Sequence, residues 1–468
     1  MFWDRHKKQK IHLVGIGGSG MSGIAEVLLA SGFEVSGSDL SSSSTTERLS
    51  QLGAVIYQGH AAEHLREVSC VVVSSAVSAN NPEWQEARRL GVPVIQRAEM
   101  LAELMRLKRG IAVAGSHGKT TTTSMLGQIL KALKPTVVVG GRLQHWNASS
   151  IVGRGSIFVI EADESDRSFL KFSPIFSLVT NVDSEHLDTY RNLDDIKKTF
   201  LEFLNRTAFF GVNWINADCP NLQSIRNEIV KPTLSFGFHK NADLKIISCE
   251  FSTDKSRFGL SFKGEDLGRF ELPVLGRHNV LNAAGAIGVA LSLGISVRTI
   301  RQAIKNFVPA DRRMQKHGES HQWAVIEDYA HHPAEIEAAL ESIKIAYPDR
   351  EVFIFFQPHR FSRTEFLWNE FVRVLNQASH RLWLMPIYAA HESAREGVSS
   401  HDLAKNLTDT KVVVLESLPD SKSFALQISQ EASKSFVVLV LGAAPLTSFA
   451  KSLSKNLENL NPVSERLG

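Results

Sequence analysis

The chain has 468 residues, of which 43% are hydrophobic and 22% charged, so its composition is that of a globular protein with several domains. A net charge of +3 gives no electrostatic case for a nucleic-acid or membrane partner. No stretch approaches the ~20 apolar residues of a membrane span, and the three cysteines are too far apart to suggest a disulfide framework or a metal site. We therefore expect a cytoplasmic protein that acts on small molecules, without a nucleic-acid or membrane partner.

The N-terminal region alternates short apolar runs with amphipathic segments. Runs such as IHLVGIGG and AVIYQG predict strands, whereas Met21–Ser31, Thr45–Leu52 and Pro82–Leu90 predict helices. Strands that alternate with helices pair in parallel through right-handed crossovers. The pattern predicts a doubly wound α/β domain over residues 1–106.

A glycine-rich turn follows the first predicted strand. Gly15, Gly17 and Gly20 form a G-x-G-x-x-G pattern at the start of a helix, which lets the backbone approach a diphosphate. Asp39 ends the second strand, where its carboxylate can accept a hydrogen bond from a ribose hydroxyl. NAD, FAD and a UDP-sugar all carry a diphosphate beside a ribose, so the pattern does not identify the nucleotide. Taken alone it suggests an oxidoreductase, and a turn without a ligand is the alternative.

A second unit begins near Leu107 and contains a phosphate-binding loop. The strand IAVA leads into Gly115-Ser-His-Gly118-Lys119-Thr120-Thr121 and then into a helix. Backbone N–H groups of such a loop hold phosphates, its lysine contacts the outer oxygens, and the next hydroxyl ligates Mg²⁺. The loop departs from the full G-x-x-x-x-G-K-[ST] pattern because Val113 stands at the first glycine position.

Two later strands end in candidate metal ligands. Glu161 comes directly after the strand IFVI, with Asp163 and Glu164 behind it, and His186 follows the strand SLVT. The carboxyl ends of parallel strands share one edge of a sheet, so these groups should face the phosphate loop. Hard oxygen ligands suit Mg²⁺ and tolerate one imidazole. An acidic run is also common in solvated loops, which is the alternative here.

The predicted pattern of strands and helices changes twice more along the chain. Short strands with polar turns from about Thr233 to Leu275 predict antiparallel pairing, and an apolar helix then closes the unit near residue 308. A third alternating region follows, with two loops rich in Arg, His and Asp at strand ends. In the second of these loops Arg360 and Arg363 could bind carboxylate or phosphate in forked geometry. The adjacent His331 and His332 in the first loop could instead cap or pack.

Nine stretches in this order resemble the Mur ligase family over essentially the whole chain, among them GIGGSGMSGIAEVL, GSHGKTTTTS, EADESDRSFL, DYAHHPAEI and FQPHRFSRT. The resemblance implies an α/β fold of three domains. These are a Rossmann-like UDP-sugar domain (1–106), a central P-loop ATPase domain with a mainly parallel sheet and a small antiparallel sheet (107–308), and a C-terminal Rossmann-like domain (309–468).

The resemblance also implies an activity. It points to the branch that uses ATP and Mg²⁺ to join L-alanine to the carboxylate of UDP-N-acetylmuramate through an acyl phosphate, in peptidoglycan synthesis. The expected protein is a monomer or a weak homodimer.

The family pattern carries over to individual positions. ATP contacts are implied at Gly115, Ser116, His117, Gly118, Lys119, Thr120, Thr121, His278, Asn279, Arg312, Arg313 and Asp328. Metal ligands are implied at Thr120, Glu161 and His186. UDP-sugar contacts are implied at Gly17, Gly18, Ser19, Asp39, His60 and Asn147, and contacts to the amino acid and acyl phosphate at Tyr329, His331, Arg360 and Arg363. Catalytic roles fall to Lys119, His186, His331, Arg360 and Arg363.

Some positions depart from the family pattern. Ser116 replaces a Thr, Glu185 and Glu327 each stand where Asp is usual, and Gly442-Ala-Ala-Pro replaces a loop with a further glycine and an acid. None of these changes affects Lys119 or the implied metal ligands, so we expect an active enzyme. The alternatives are a sibling ligase that attaches a tripeptide, a nicotinamide-dependent oxidoreductase, and a non-catalytic sensor of UDP-sugar or ATP.

Overall fold

The computed structural model describes residues 9–460 except 75–76, 144–147, 187–188, 378–380 and 391. In this part of the chain three separate sheets follow one another in sequence. Each consists mainly of parallel strands joined through helices, which confirms the predicted α/β class. The domain limits at 106 and 308 remain predictions. No helix in these residues combines the length and the apolar character needed to cross a bilayer.

The N-terminal sheet has five parallel strands in the order β3-β2-β1-β4-β5. The strand order reverses between β1 and β4, so the loops that follow them open a crevice at their carboxyl ends. The strands are β1 Lys10–Val14, β2 Glu34–Asp39, β3 Val55–Gln58, β4 Cys70–Val73 and β5 Val94–Gln96, and the helices are α1 Ser19–Ala30, α2 Ser44–Gln51, α3 Pro82–Leu90 and α4 Arg97–Arg106.

The central sheet has ten strands in the order β15-β14-β13-β12-β11-β10-β6-β9-β7-β8. Its strands are β6 Arg109–Ala114, β7 Thr136–Leu143, β8 Ala148–Ile151, β9 Ile157–Glu161, β10 Phe176–Val179, β11 Val212–Asn216, β12 Thr233–Gly237, β13 Leu244–Phe251, β14 Ser256–Phe262 and β15 Glu265–Leu272. Its helices are α5 Lys119–Ile129, α6 Leu193–Asn205, α7 Pro220–Ile225, α8 Arg277–Ser292 and α9 Val297–Lys305.

The antiparallel part differs from the sequence prediction, and β7 and β8 also pair antiparallel. Strands β13, β14 and β15 pair antiparallel, as expected. Strand β12, which we expected in this antiparallel group, pairs parallel with both β11 and β13, so that expectation was wrong. The connection from β11 runs through helix α7, and such a crossover returns the chain in the parallel direction.

Helix α8 is buried along most of its length against the central sheet. Its run of Ala and Gly residues leaves room for large side chains of the sheet, and Trp214 of β11 packs directly against Gly288. The Trp214 indole N–H also donates to Ser292 Oγ at 3.0 Å, so the buried ring keeps a hydrogen-bond partner. The helix thereby fixes the sheet behind the phosphate loop.

The C-terminal sheet has six strands in the order β16-β17-β21-β18-β19-β20, antiparallel only between β16 and β17. Its central strands are buried along their whole length, as expected of a parallel sheet with helices on both faces. The strands are β16 Gln315–Glu319, β17 Trp323–Asp328, β18 Glu351–Phe356, β19 Arg381–Leu384, β20 Lys411–Val414 and β21 Phe436–Leu441. The helices are α10 Pro333–Ala346, α11 Phe361–Phe366, α12 Trp368–Asn376, α13 Ser400–Lys405, α14 Ser421–Glu431 and α15 Thr447–Leu460.

Candidate functional site

The phosphate loop lies between β6 and α5, and two of its glycines have conformations that side chains would not tolerate. Gly115 has φ +137°, and a Cβ there would lie 2.1 Å from Thr180 Oγ1. Gly118 has φ +81°, and a Cβ there would lie 2.5 Å from Asn282 Oδ1. Asn181 fixes the loop by accepting from the His117 backbone N–H at 2.8 Å. The loop therefore presents its backbone at the N-terminus of α5, where an anion is favoured.

Lys119 begins α5 and is held inside the loop. Its Nζ donates to the Gly115 carbonyl at 2.7 Å and to Glu164 Oε1 at 2.7 Å. Burial disfavours the ammonium, but the carboxylates of Glu164 and Glu185 outweigh this and raise the pKa of Lys119. The lysine is thus a fixed positive charge beside the phosphate loop.

Thr120 and Glu161 meet at the carboxyl end of β9. The Thr120 hydroxyl lies 2.9 Å from Glu161 Oε1 and 3.0 Å from Oε2, and the Gly140 N–H donates to Oε2 at 2.8 Å. Burial raises the pKa of Glu161, although the Gly140 N–H and the Lys119 charge oppose the shift. Two of the three predicted metal ligands therefore lie together and offer hard oxygen donors.

His186, the third predicted metal ligand, lies beside the carboxylates of Glu164 and Glu185. Its Nε2 is 3.4 Å from Glu164 Oε1 and 3.9 Å from Glu185 Oε2, and one ligand atom from each of the three residues falls within 4.8 Å of the others. Burial lowers the pKa of His186, and Glu164 and Glu185 more than compensate and raise it.

Arg363 reaches this acidic group from the C-terminal sheet. Its guanidinium donates to Glu185 Oε1 at 3.0 Å across the gap between the two sheets. Burial raises the pKa of Glu185, but His117, His186 and Arg363 lower it much further. His186, Arg360 and Arg363 line one small cavity of about 20 Å³, so three of the predicted catalytic residues converge.

A larger cavity of about 410 Å³ lies between the central and C-terminal sheets, next to the phosphate loop. Predicted nucleotide contacts line it from both sides, namely His117, Gly118, Thr121, His278, Asn279, Arg313 and Asp328. Burial, with the Arg313 charge, lowers the pKa of His278 to about 4, so its imidazole is neutral near pH 7. A neutral, partly apolar wall beside a phosphate loop suits the base of a nucleotide.

The two candidate arginines before β16 have different surroundings. Arg313 faces the cavity, 3.9 Å from Glu335 Oε1. Arg312 instead donates to Glu327 Oε1 at 2.7 Å and to the carbonyls of Gly442, Ala443 and Ala444. Arg312 therefore holds the loop that departs from the family pattern, and its guanidinium is already occupied by protein acceptors.

Asp328 ends β17 at the wall of the larger cavity. It accepts from the backbone N–H groups of Met314 and Ala330, each at 2.8 Å. Burial raises the pKa of Asp328 to about 6, against the opposing charge of Arg313.

The predicted acceptor contacts lie on the two loops of the C-terminal sheet. His331 Nδ1 lies 2.9 Å from the Tyr329 carbonyl, and burial lowers the pKa of His331 to about 4. The rings of His331 and His359 are 5.8 Å apart, which brings the two loops into contact. Arg360 has φ +72° and pairs with Glu392 through Nε at 2.9 Å. The four predicted residues thus surround one edge of the sheet, as their sequence positions indicated.

Asp39 holds the glycine turn that follows β1 in the N-terminal sheet. Its carboxylate accepts from the Gly17 N–H at 2.8 Å, and a Cβ on Gly17 would lie 2.9 Å from the same oxygen. Gly18 precedes the first turn of α1, and Ser19 is the first residue of that helix. Asn147, the remaining candidate at the sugar end, lies outside the described residues.

His60 belongs to a buried polar network centred on Glu83. The Glu83 carboxylate lies 3.0 Å from His60 Nδ1, 2.7 Å from His64 Nδ1 and 3.3 Å from His12 Nε2, and it accepts from Ser38 Oγ at 2.6 Å. Burial raises the pKa of Glu83, but the hydrogen bonds from His12, Ser38 and His64 lower it to about 2. The network fixes the orientation of His60 at the edge of the crevice.

Sequence reasoning missed Glu83, and it also missed Asp183 and Glu335 beside the phosphate loop. Glu335 Oε1 lies 3.4 Å from His117 Nδ1, and Asp183 Oδ2 lies 3.4 Å from His117 Nε2. Burial lowers the pKa of His117, but these carboxylates raise it to about 10. Only Glu335 had a local signal, because it is the third residue of α10 in a capping box with His332.

Three family profiles match the chain in sequence order. The profile described as Mur ligase family, catalytic domain, matches residues 10–109, and that of the Mur ligase middle domain matches residues 113–290. The profile described as Mur ligase, glutamate ligase domain, matches residues 312–444.

Individual relatives are similar over nearly the whole chain. The UDP-N-acetylmuramate–L-alanine ligase of Aquifex aeolicus is 43% identical over 458 residues, which cover 97% of this chain and 99% of the relative. The protein of the same name from Solidesulfovibrio magneticus is 50% identical over 415 residues, 87% of this chain and 90% of the relative. The crystal structure of UDP-N-acetylmuramate–alanine ligase from Thermotoga maritima matches with a TM-score of 0.75 at 27% identity, covering 96% of this chain and 99% of that one.

Proposed function

Because the chain belongs to the Mur ligase family, we propose that it joins L-alanine to the carboxylate of UDP-N-acetylmuramate at the expense of ATP, a step of peptidoglycan precursor synthesis. The observation that carries this proposal is the match to two relatives of that name, at 43% and 50% identity over most of both chains. The arrangement of phosphate loop, acidic residues and C-terminal arginines gives independent support for the reaction type.

ATP is expected to lie with its base in the larger cavity and its phosphates on the loop. The backbone N–H groups before α5 and the Lys119 ammonium would hold the phosphate oxygens. Thr120 Oγ1 and Glu161 fit Mg²⁺, because they offer oxygen donors that lie 2.9 Å apart at the mouth of the loop. His186 would approach the same cation or a second one. When bound, Mg²⁺ neutralises charge that develops on the phosphate oxygens.

The chemistry needs an activated carboxylate. The carboxylate oxygen of the muramate attacks the γ-phosphorus, the bond to the bridging oxygen breaks, and ADP leaves with that electron pair. The alanine amine then attacks the carbonyl carbon of the acyl phosphate, phosphate leaves, and one amine proton is lost. The protein contributes positioning and charge neutralisation, which dominate phosphoryl transfer.

The C-terminal loops supply the groups for the second step. Arg360 and Arg363 would bind the acyl phosphate and the alanine carboxylate, which both suit forked guanidinium geometry. Burial keeps His331 neutral near pH 7, with a pKa of about 4. The neutral imidazole could accept a hydrogen bond from the attacking amine, so His331 would orient that nucleophile.

The experiment that tests the proposal measures phosphate release from ATP and Mg²⁺ in the presence of UDP-N-acetylmuramate. Three parallel reactions contain L-alanine, the tripeptide of the sibling reaction, or no acceptor. We expect release that depends strictly on L-alanine, together with a product mass of UDP-muramoyl-alanine. Dependence on the tripeptide would assign the chain to the sibling ligase, and no release with any acceptor would refute a ligase function.

A nicotinamide-dependent oxidoreductase would leave the phosphate loop and both C-terminal loops without a role. Titration of the protein with NADH or NADPH, followed by nicotinamide fluorescence, should show no binding. Saturable binding of either cofactor would revive that alternative.

A further inference from the structure

Arg360 has a backbone conformation that a side chain does not favour. It stands directly before helix α11, with φ +72° and ψ 133°. A non-glycine residue at positive φ is strained, and it keeps that conformation only where its surroundings hold it there. The contacts that hold Arg360 are therefore part of what presents its guanidinium to the site.

The loop that follows β19 holds the backbone of Arg360. The Arg360 N–H donates to the Tyr388 carbonyl at 2.8 Å, and the Tyr388 N–H donates to the Pro358 carbonyl at 2.8 Å. The rings of His359 and Tyr388 stack with their centroids 5.4 Å apart. Two loops of the C-terminal sheet thus lie side by side, and the second loop brings Glu392 next to Arg360.

Glu392 binds both the side chain of Arg360 and the first turn of α11. Its Oε1 lies 2.9 Å from Arg360 Nε and accepts from Ser362 Oγ at 2.6 Å, while its Oε2 accepts from the Ser362 N–H at 2.9 Å. Burial raises the pKa of Glu392, but the hydrogen bonds from Ser362 and the charges of Arg360 and Arg395 lower it below its ordinary value of 4.5. The carboxylate is therefore ionised at neutral pH, and donors of the protein occupy both of its oxygens.

The two arginines beside α11 have carboxylate partners of different origin. Arg363 pairs with Glu185 from a loop of the central sheet, and Glu185 in turn lies 3.9 Å from the imidazole of His186. Arg360 pairs with Glu392, which comes from a loop of the same C-terminal sheet. Arg363 therefore faces the phosphate loop, whereas the direction of the Arg360 side chain is set within the C-terminal part of the chain.

We infer that Glu392 is a positioning residue for the ligation proposed above, and that it directs the Arg360 guanidinium towards the carboxylate of the incoming amino acid. The inference rests on the proposed function and divides the work of the two arginines, with Arg363 on the phosphate side. An arginine side chain has many rotamers, so an ion pair through Nε removes freedom that binding of the amino acid would otherwise have to remove. Glu392 acts through Arg360, because both of its oxygens already accept hydrogen bonds from the protein.

Steady-state kinetics of the full-length enzyme test this assignment, with L-alanine varied at saturating ATP, Mg²⁺ and UDP-N-acetylmuramate. Glu392→Gln keeps the size of the side chain and an oxygen that can accept from Ser362, but it removes the charge that holds Arg360. We expect the KM for L-alanine to rise by at least roughly 10-fold, because a binding group misplaced by about 1 Å can cost about 100-fold. The value of kcat should change by less than about 3-fold and the KM for ATP by less than about 2-fold.

Two further variants show whether the effect belongs to this ion pair. Glu337→Gln, the matched control, neutralises a half-exposed glutamate on α10 that pairs with Arg373, and it should leave kcat and both KM values unchanged. Arg360→Met removes the guanidinium altogether. In that background Glu392→Gln should lower kcat/KM for L-alanine by less than about 2-fold more, since the two residues act as one unit.

Circular dichroism checks that each variant is folded. An unchanged KM for L-alanine in folded Glu392→Gln, or an equal loss of kcat/KM in the Arg360→Met background, would overturn the inference while wild-type activity stands. A loss confined to kcat or to the KM for ATP would place Arg360 on the phosphate and would overturn it too. Failure of the wild-type protein to use L-alanine would instead refute the proposed function, and this inference with it.

Discussion

Two cationic side chains of the phosphate site pair with buried carboxylates of the protein. Lys119 contacts Glu164 at 2.7 Å and Arg363 contacts Glu185 at 3.0 Å. Both carboxylates are more than nine-tenths buried, so loss of either cationic partner would leave a buried charge uncompensated. A phosphate entering the loop would therefore compete with these carboxylates for the same cations.

At the residue scale, Lys119→Ala tests the division between the two nucleotide sites. We expect phosphate release to fall by at least roughly 100-fold, because one fixed charge on the transferring phosphate is lost. UDP-N-acetylmuramate affinity, measured by calorimetry, should change by less than about 2-fold, since that ligand is assigned to the N-terminal sheet. Lys171→Ala, which removes a half-exposed lysine paired with Glu99, is the control and should keep full activity. Loss of UDP-sugar affinity in a folded Lys119→Ala protein would contradict this division.

Glu83 provides a prediction about pH at the same scale. Its folded pKa of about 2 lies below the ordinary value of 4.5, so its stabilising effect is complete above pH 4.5 and is lost as the pH falls towards 2. Glu83→Gln should therefore reduce local stability by on the order of 3 kcal/mol at pH 6, and by progressively less at pH 4 and 3.

Hydrogen exchange measured by mass spectrometry on peptides that cover β1 and α3 would follow this local stability. Glu86→Gln, which changes an acid on the same helix that pairs with Arg89, is the matched control. A difference between wild type and Glu83→Gln that does not change with pH would show that the ionised carboxylate is not the stabilising species.

At the scale of elements, local signals predicted the helices well. Helix α3 begins at Pro82 and ends at Leu90 as expected, because Asn81 caps its first turn, Pro82 occupies the first position, and Gly91 ends it at φ +69°. The strand–loop–helix unit around Lys119 was equally clear. These signals lie within a few residues of the element that they define.

The partners of buried charges could not be predicted in the same way. Glu83 meets His12, which is 71 residues away in sequence, and His64, which is 19 residues away. We predicted the wrong pairing for strand β12, because its residue pattern is equally compatible with parallel and antiparallel neighbours. In both cases tertiary packing decides the outcome, and one sequence contains no signal for it.

Helix α8 allows two opposing effects on stability to be compared. Gly288→Ala should gain about 1 kcal/mol in helix propensity. The added Cβ would, however, lie 2.7 Å from Trp214 Cε3 and Cζ3, and overpacking of this kind costs about 1–3 kcal/mol. We expect a net loss of stability, seen as a lower midpoint of urea unfolding.

A double-mutant cycle separates these effects. In a Trp214→Leu background the ring is absent, so Gly288→Ala should be neutral or stabilising there. An equal loss of stability in both backgrounds would show that the contact with Trp214 is not the cause.

At the scale of the whole molecule, the proposed reaction needs groups from all three sheets. The N-terminal sheet contacts the central sheet, for example through Ser150 Oγ, which donates to Glu26 Oε2 at 3.1 Å. The central and C-terminal sheets meet through Arg363–Glu185 and His117–Glu335. The N-terminal and central sheets also share a hydrophobic core. The contacts named between the central and C-terminal sheets are polar, and polar interfaces of this kind permit domains to move relative to one another.

This geometry predicts closure on binding of both nucleotides. A UDP-sugar in the N-terminal crevice must bring its carboxylate to the γ-phosphate, and the amino acid must reach the same point from the C-terminal loops. The radius of gyration measured by small-angle scattering should therefore fall when UDP-N-acetylmuramate, Mg²⁺ and a non-hydrolysable ATP analogue are added together, and less with either nucleotide alone. Arg363→Ala removes one of the side chains that join the last two sheets, so the variant should bind both nucleotides yet compact less. An unchanged radius in the wild-type protein with both ligands bound would mean that the sheets already hold their reactive arrangement.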